Sequence, residues 1–148
     1  MTIAPPTLSP ELLARYDRPV PRYTSYPTAP HFHDGVNADL YRQWLSRVPA
    51  QEALSLYLHV PFCAKMCWYC GCHTKVVGQY APIAAYARTL SREIGLVAGA
   101  IGRKARVAHI HWGGGTPTIL AADDFRRLMA EVRERFDVRT DAEVAVEA

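Results

Sequence analysis

Leu54-Ser-Leu-Tyr-Leu-His-Val60 alternates apolar and polar positions until Pro61 interrupts it, the pattern of a strand running directly into a loop. The period then changes. From about Pro82 to Ile101, Ile83, Tyr86, Leu90, Ile94 and Val97 recur at helical spacing within an alanine-rich segment, which predicts a helix with one apolar face. Val107-Ala-His-Ile-His-Trp112 predicts a second strand, ended by Gly113-Gly-Gly-Thr-Pro117. Phe125, Leu128, Met129, Val132 and Phe136 predict a second long helix, and Glu143-Val-Ala-Val-Glu147 a third strand. A shorter helix is expected from Asn37, a good N-cap, through Leu40, Trp44, Leu45 and Val48.

The order strand, helix, strand, helix, strand implies an α/β fold with parallel strands and right-handed helical crossovers, either a TIM-like barrel or a doubly wound sheet. In both, chemistry gathers beyond the C-terminal ends of the strands. The loop after Val60, the glycine run and Glu147 all fall at such ends, so one rim should hold all of them. Ahead of these elements, prolines crowd the chain, and Arg18-Pro-Val-Pro-Arg-Tyr-Thr-Ser-Tyr-Pro-Thr28 cannot hold a helix. An irregular N-terminal arm with the short helix is expected over 1–50, and the first part of the core over 51–148. Too few strands are present to close a barrel, and an unpaired edge would remain, so the chain reads as a fragment.

Composition narrows the class. With 49% hydrophobic and 21% charged residues in 148, the chain suits a soluble globular domain. A net charge of +3 without a dense run of Lys or Arg gives no nucleic-acid surface. No apolar stretch approaches the roughly 18 residues of a membrane helix, and no leader pattern opens the chain, so a cytoplasmic location is expected.

All 4 cysteines lie between positions 63 and 72, which excludes a framework of disulfides joining distant segments and makes one local site. Cys63-Ala-Lys-Met-Cys67-Trp-Tyr-Cys70 offers three thiolates on one loop. Three ligands would leave one iron of a cubane open to an exogenous ligand, whereas clusters that only carry electrons normally take four protein ligands. Zinc is the alternative, completed by Cys72 or His73, although the spacing is awkward and no second pair lies elsewhere. A thioredoxin-like pair of Cys67 and Cys70 would stand at a helix start without further cysteines crowding it.

The remaining candidates are weaker alone. Gly113-Gly-Gly-Thr-Pro117 can bring backbone amides close to an anionic ligand, or can be a simple strand-to-helix turn. Glu147 can accept hydrogen bonds from hydroxyls or an ammonium, or can be a solvated strand-end acid. His109 and His111 share a strand face, but no acidic partner is apparent at metal-site spacing for them or for His59. Tyr57 and Tyr69 have packing as their ordinary role.

With these motifs together the sequence resembles the radical S-adenosylmethionine (SAM) superfamily, and within it the oxygen-independent coproporphyrinogen III oxidases. The resemblance rests on Pro21-Arg-Tyr-Thr-Ser-Tyr-Pro-Thr28, Leu56-Tyr-Leu-His-Val-Pro-Phe-Cys63, Cys70-Gly-Cys72 and His111-Trp-Gly-Gly-Gly-Thr-Pro-Thr118. A related heme-chaperone branch shares the cysteine loop and glycine turn but typically lacks the arm and the counterpart of Cys72.

The resemblance implies a partial TIM-like barrel and the conversion of two propionates of coproporphyrinogen III to vinyl groups, giving protoporphyrinogen IX for heme synthesis. Cys63, Cys67 and Cys70 would ligate a 4Fe-4S cluster, and SAM bound to its open iron would yield a 5'-deoxyadenosyl radical. Tyr57, Tyr69, Gly114 and Glu147 would contact this SAM, with Gly115 and Thr116 contacting a second. Cys72 and Glu147 are the catalytic expectations, Cys72 as a cysteine that is not a cluster ligand. Arg22 would face the carboxylates of the substrate, which suits a cation. An electron donor of flavodoxin type is implied, and a monomer is expected. Family members are considerably longer, so the fragment is not expected to catalyse alone. The competing expectation is a heme chaperone-like protein or a zinc- or heme-binding module.

Overall fold

The computed structural model describes residues 9–17 and 28–148. Two compact units divide between Val36 and Asn37. In the first, helix α1 (Pro10–Tyr16) opens where the prolines predicted irregular chain, because Pro10 occupies the first helical turn and Ser9 caps it, its hydroxyl accepting from the Leu12 N–H at 3.2 Å. A short 3-10 turn covers Ala29–His31. The Arg18–Pro27 part of the proline-rich run, including Arg22, lies outside the described residues.

The second unit begins with α2 (Ala38–Ser46), for which Asn37 is the N-cap, its side-chain oxygen accepting from the N–H groups of Asp39 and Leu40 at 3.1 and 3.0 Å. Next come β1 (Leu54–Val60), the two-residue strands β2 (Phe62–Cys63) and β3 (Lys75–Val76), and α3 (Ala81–Ile101). The chain continues through β4 (Arg106–Gly114), a 3-10 turn (Pro117–Ile119), α4 (Ala122–Arg135) and β5 (Asp137–Val146). Gly102 stops α3 in the left-handed conformation (φ 72°), its N–H donating to Ala98 O at 3.2 Å. Asp123 and Asp124 in the first turn of α4, and Arg133 and Arg135 in its last, oppose the helix dipole.

The main sheet has the order β1-β4-β5, all parallel, with α3 and α4 as its crossovers. Leu58 and Val60 of β1, and Val107, Ile110 and Trp112 of β4, pack with Leu90, Ile94, Leu128 and Val132 of the helices in one core. The step from Val107 to Ile110 departs from simple alternation. Val107 pairs with Leu54 and Val138, His109 pairs with Ser55 and Glu143, and Ala108 is passed over in both ladders. This bulge exchanges the two faces of the strand, so apolar side chains meet the helices on both sides of it while His109 and His111 share the opposite face.

Two elements outrun their hydrophobic patterns. β4 continues through Gly113 and Gly114, so two of the three glycines of the run belong to the strand. β5 starts at Asp137 rather than Glu143, its alternation hidden by an irregularity at Arg139–Ala142, where the Arg139 guanidinium grips Asp141 with two 2.7 Å bonds. No helix among the described residues is long and apolar enough to cross a membrane.

Leu128 is fully buried and Leu96 is 72% exposed, both on helices. Leu128→Ala should lower the unfolding free energy by about 2–5 kcal/mol in urea titrations, and Leu96→Ala should change it by no more than about 0.5 kcal/mol.

Candidate functional site

The cysteine loop is fastened at its base. β2 and β3 run parallel, with the Lys75 N–H donating to Pro61 O at 2.8 Å and the Val77 N–H to Cys63 O at 3.1 Å, so the chain from 64 to 74 leaves and returns at one place. The glycine turn joins that base by extending the β1–β4 ladder. Gly115 N–H donates to Val60 O and Thr116 N–H to Phe62 O, each at 2.9 Å. Cys63 is thereby buried between the two segments. Its Sγ lies 3.2 Å from Thr74 Oγ1, and the Thr116 hydroxyl donates to it at 3.4 Å.

Gly115 has no room for a side chain. A Cβ there would stand 2.5 Å from Thr74 Oγ1, 2.7 Å from Phe62 O and 2.9 Å from Cys63 Sγ. The Phe62 carbonyl is backbone and cannot swing aside.

Cys67 and Cys72 are exposed, Cys70 is half-buried, and all four thiols are free. The loop carries Trp68 and Tyr69 almost fully into solvent, away from any packing role. A Cys70 N–H to Cys67 O bond of 3.2 Å turns the chain between these two thiols. Among the described residues no three His, Cys, Asp or Glu side chains converge closely enough to hold a metal ion. The donor set nevertheless fits an iron-sulfur cluster: soft thiols on a short loop, one fixed and the others on a segment with few tethers, as expected where metal binding organises its own ligands. The Cys72 thiol is held above the ordinary thiol range, first by the charge of Cys70 and by a hydrogen bond with it.

A second cluster forms at the same rim. Glu147 follows β5, its N–H donating to Trp112 O at 3.0 Å. Its carboxylate accepts from the Gly114 N–H at 3.2 Å and lies 2.9 Å from His111 Nε2. The bond with His111 is the chief reason its carboxyl is held below the ordinary 4.5, partial burial opposing and the Gly114 amide adding. Tyr57 stacks on His111 with ring centroids 5.7 Å apart, and its hydroxyl lies 2.9 Å from His59 Nδ1. Burial, then the charge of Glu147, pushes the Tyr57 hydroxyl above its usual range. Gly114 has φ 116°, and a Cβ there would strike the His59 ring and Val60 O, so only glycine suits this turn.

The sequence candidates thus fall into two groups, Cys63 with Gly115 and Thr116, and Tyr57 with Gly114 and Glu147. Cys67 and Tyr69 stand apart on the outer loop. Sequence reasoning passed over Thr74, which only the β2–β3 pairing carries to Cys63, and found no acid for the histidines. Two of them have one: Glu147, just after β5, for His111, and Glu143 of β5 for His109 at 3.7 Å.

A family model described as the radical SAM superfamily matches residues 57–147. Over 128 residues the chain is 60% identical to an oxygen-independent coproporphyrinogen III oxidase of Bradyrhizobium diazoefficiens, covering 86% of this chain and 28% of that protein. A protein of the same name from Mannheimia haemolytica is 40% identical, with 92% of each chain covered. The chain belongs to the oxygen-independent coproporphyrinogen III oxidase family of the radical SAM superfamily. The fold agrees with this family: the solved coproporphyrinogen III oxidase of Escherichia coli, described as a radical SAM enzyme, superposes with a TM-score of 0.76 at 38% identity, over 89% of this chain and 29% of that one. The chain spans about three tenths of the length of several curated relatives it matches.

Two consequences can be measured on the chain. Gly115→Ala should cost about 1–3 kcal/mol of stability by crowding Cys63, whereas Gly99→Ala, in helix α3 where a Cβ meets nothing within 4 Å, should be neutral or stabilising. The lowered Glu147 carboxyl contributes stability that is present above 4.5 and is lost as pH falls through its lower folded-state value. Glu147→Gln should therefore flatten the acid limb of a urea-midpoint profile, and an unchanged limb would contradict the assignment.

Proposed function

We propose that the protein takes part in the oxygen-independent oxidative decarboxylation of two propionate side chains of coproporphyrinogen III to vinyl groups, yielding protoporphyrinogen IX in heme biosynthesis. The observation that supports this most directly is the fastening of Cys63 to the glycine turn at the rim that also holds Glu147. The relatives that match the chain carry the name of this activity.

In this reading Cys63, Cys67 and Cys70 ligate a 4Fe-4S cluster, with SAM at its open iron. When bound, this pair would supply an electron transfer that cleaves SAM to methionine and a 5'-deoxyadenosyl radical, which would take one hydrogen atom from the propionate, the second electron leaving to an electron acceptor as carbon dioxide is lost. The protein's residues bind and orient. Glu147, whose charged form the bond with His111 favours, accepts from the ribose or amino group of SAM, and Tyr57, Tyr69 and the Gly114 backbone flank the same molecule. Gly115 and Thr116 contact a second SAM. Cys72 serves the reaction without ligating the cluster. Arg22 meets substrate carboxylates. A flavodoxin-type donor supplies electrons to a monomeric, cytoplasmic protein.

Anaerobic reconstitution tests the reading. About four irons and four sulfides should bind per chain, with visible charge-transfer absorption and a paramagnetic signal that SAM alters. Cys63→Ser, Cys67→Ser and Cys70→Ser should each lose the cluster, while Cys72→Ser retains it. Stoichiometric zinc without iron or sulfide would overturn the assignment. For the complete enzyme, anaerobic conversion of coproporphyrinogen III is the decisive assay.

A further inference from the structure

We propose that the Thr74 hydroxyl sets the reduction potential of the cluster by hydrogen bonding to the Cys63 sulfur. The inference rests on the assignment of Cys63 as a cluster ligand. Of the three proposed ligands it is the buried one, and two threonine hydroxyls approach its Sγ, Thr74 at 3.2 Å and Thr116 at 3.4 Å.

Thr74 is 11 residues from Cys63 along the chain, and three features bring it there. The β2–β3 pair places Lys75 opposite Phe62 and Val76 opposite Cys63, so the residue just before β3 reaches the sulfur. The Lys75 N–H bond to Pro61 O locks that register at 2.8 Å. Gly115 leaves vacant the space that a side chain would take between Thr74 and Cys63, its missing Cβ falling 2.5 Å from the one and 2.9 Å from the other.

The chemistry follows from the inventory of donors. A metal-bound thiolate has no proton to give, so a hydroxyl within reach of Cys63 Sγ can only donate to it. A hydrogen bond to a ligating sulfur draws negative charge from it, and reduction adds negative charge to the cluster. The bond therefore stabilises the reduced state more than the oxidised state and raises the potential. Burial strengthens the effect, because water does not compete for the sulfur. The hydroxyl donates no electron. It is a positioning and tuning residue acting through Cys63.

The test is a redox titration of the reconstituted holoprotein followed by its paramagnetic signal, comparing the parent with Thr74→Val and Thr74→Ser. The valine variant keeps the volume and deletes the donor, and should titrate at a more negative potential with unchanged iron and sulfide content. The serine variant restores the donor and should return to the parent value. A valine variant with an intact cluster and an unshifted potential would overturn the inference. So would one that cannot hold the cluster when the serine variant can, since the hydroxyl would then serve assembly instead. Failure of the parent itself to take up iron and sulfide would instead sink the cluster assignment, which separates the two.

Discussion

The site depends on two backbone hydrogen bonds, from Gly115 to Val60 and from Thr116 to Phe62. They prolong a parallel ladder past the point where both strands stop being regular. Without them the cysteine loop and the glycine turn would be two independent loops at one end of a sheet. With them, Cys63 is seated against Gly115 and Thr116 with little freedom left, and the rest of the loop hangs from a fixed point. Parallel strands bond at even spacing, so a ladder can run on into a turn only where that turn stays extended and narrow, and the absence of side chains at Gly114 and Gly115 permits this.

The same sheet separates support from chemistry. Its helix-facing side carries the apolar core, and its other face carries Tyr57, His59, His109 and His111 with the acids Glu143 of β5 and Glu147 just after it. The bulge at Ala108 allows one strand to serve both sides without placing a histidine in the core or a valine among the polar groups. Tyr86 spans the two layers, since it stacks edge-on against Phe62 at 5.4 Å and its hydroxyl donates to His59 O.

Most of this architecture was legible in the sequence because the signals were local. The alternation from Leu54 to Val60, the 3.6-residue spacing of Ile83 to Val97 and the Asn37 cap all depend on neighbours in the chain. What stayed hidden depended on register. Thr74 has no sequence feature that marks it as a partner of Cys63, and Glu147 could be placed at a rim but not against His111 until β5 was paired with β4. The start of β5 was missed because four residues of irregular chain broke its alternation. Helix α1 was missed because proline, which forbids a helix interior, is well suited to a first turn, as Pro10 is.

Trp112 contributes the largest fully buried side chain among the described residues to the core and its carbonyl to the amide of Glu147. One residue thus connects the packed interior to the carboxylate at the rim. Folding stability and the aim of that carboxylate are not separable at this position, so a substitution that the core could absorb by shifting β4 would still redirect the acid. A sequence evolving under both demands has little latitude here, however freely the exposed faces of α3 and α4 vary.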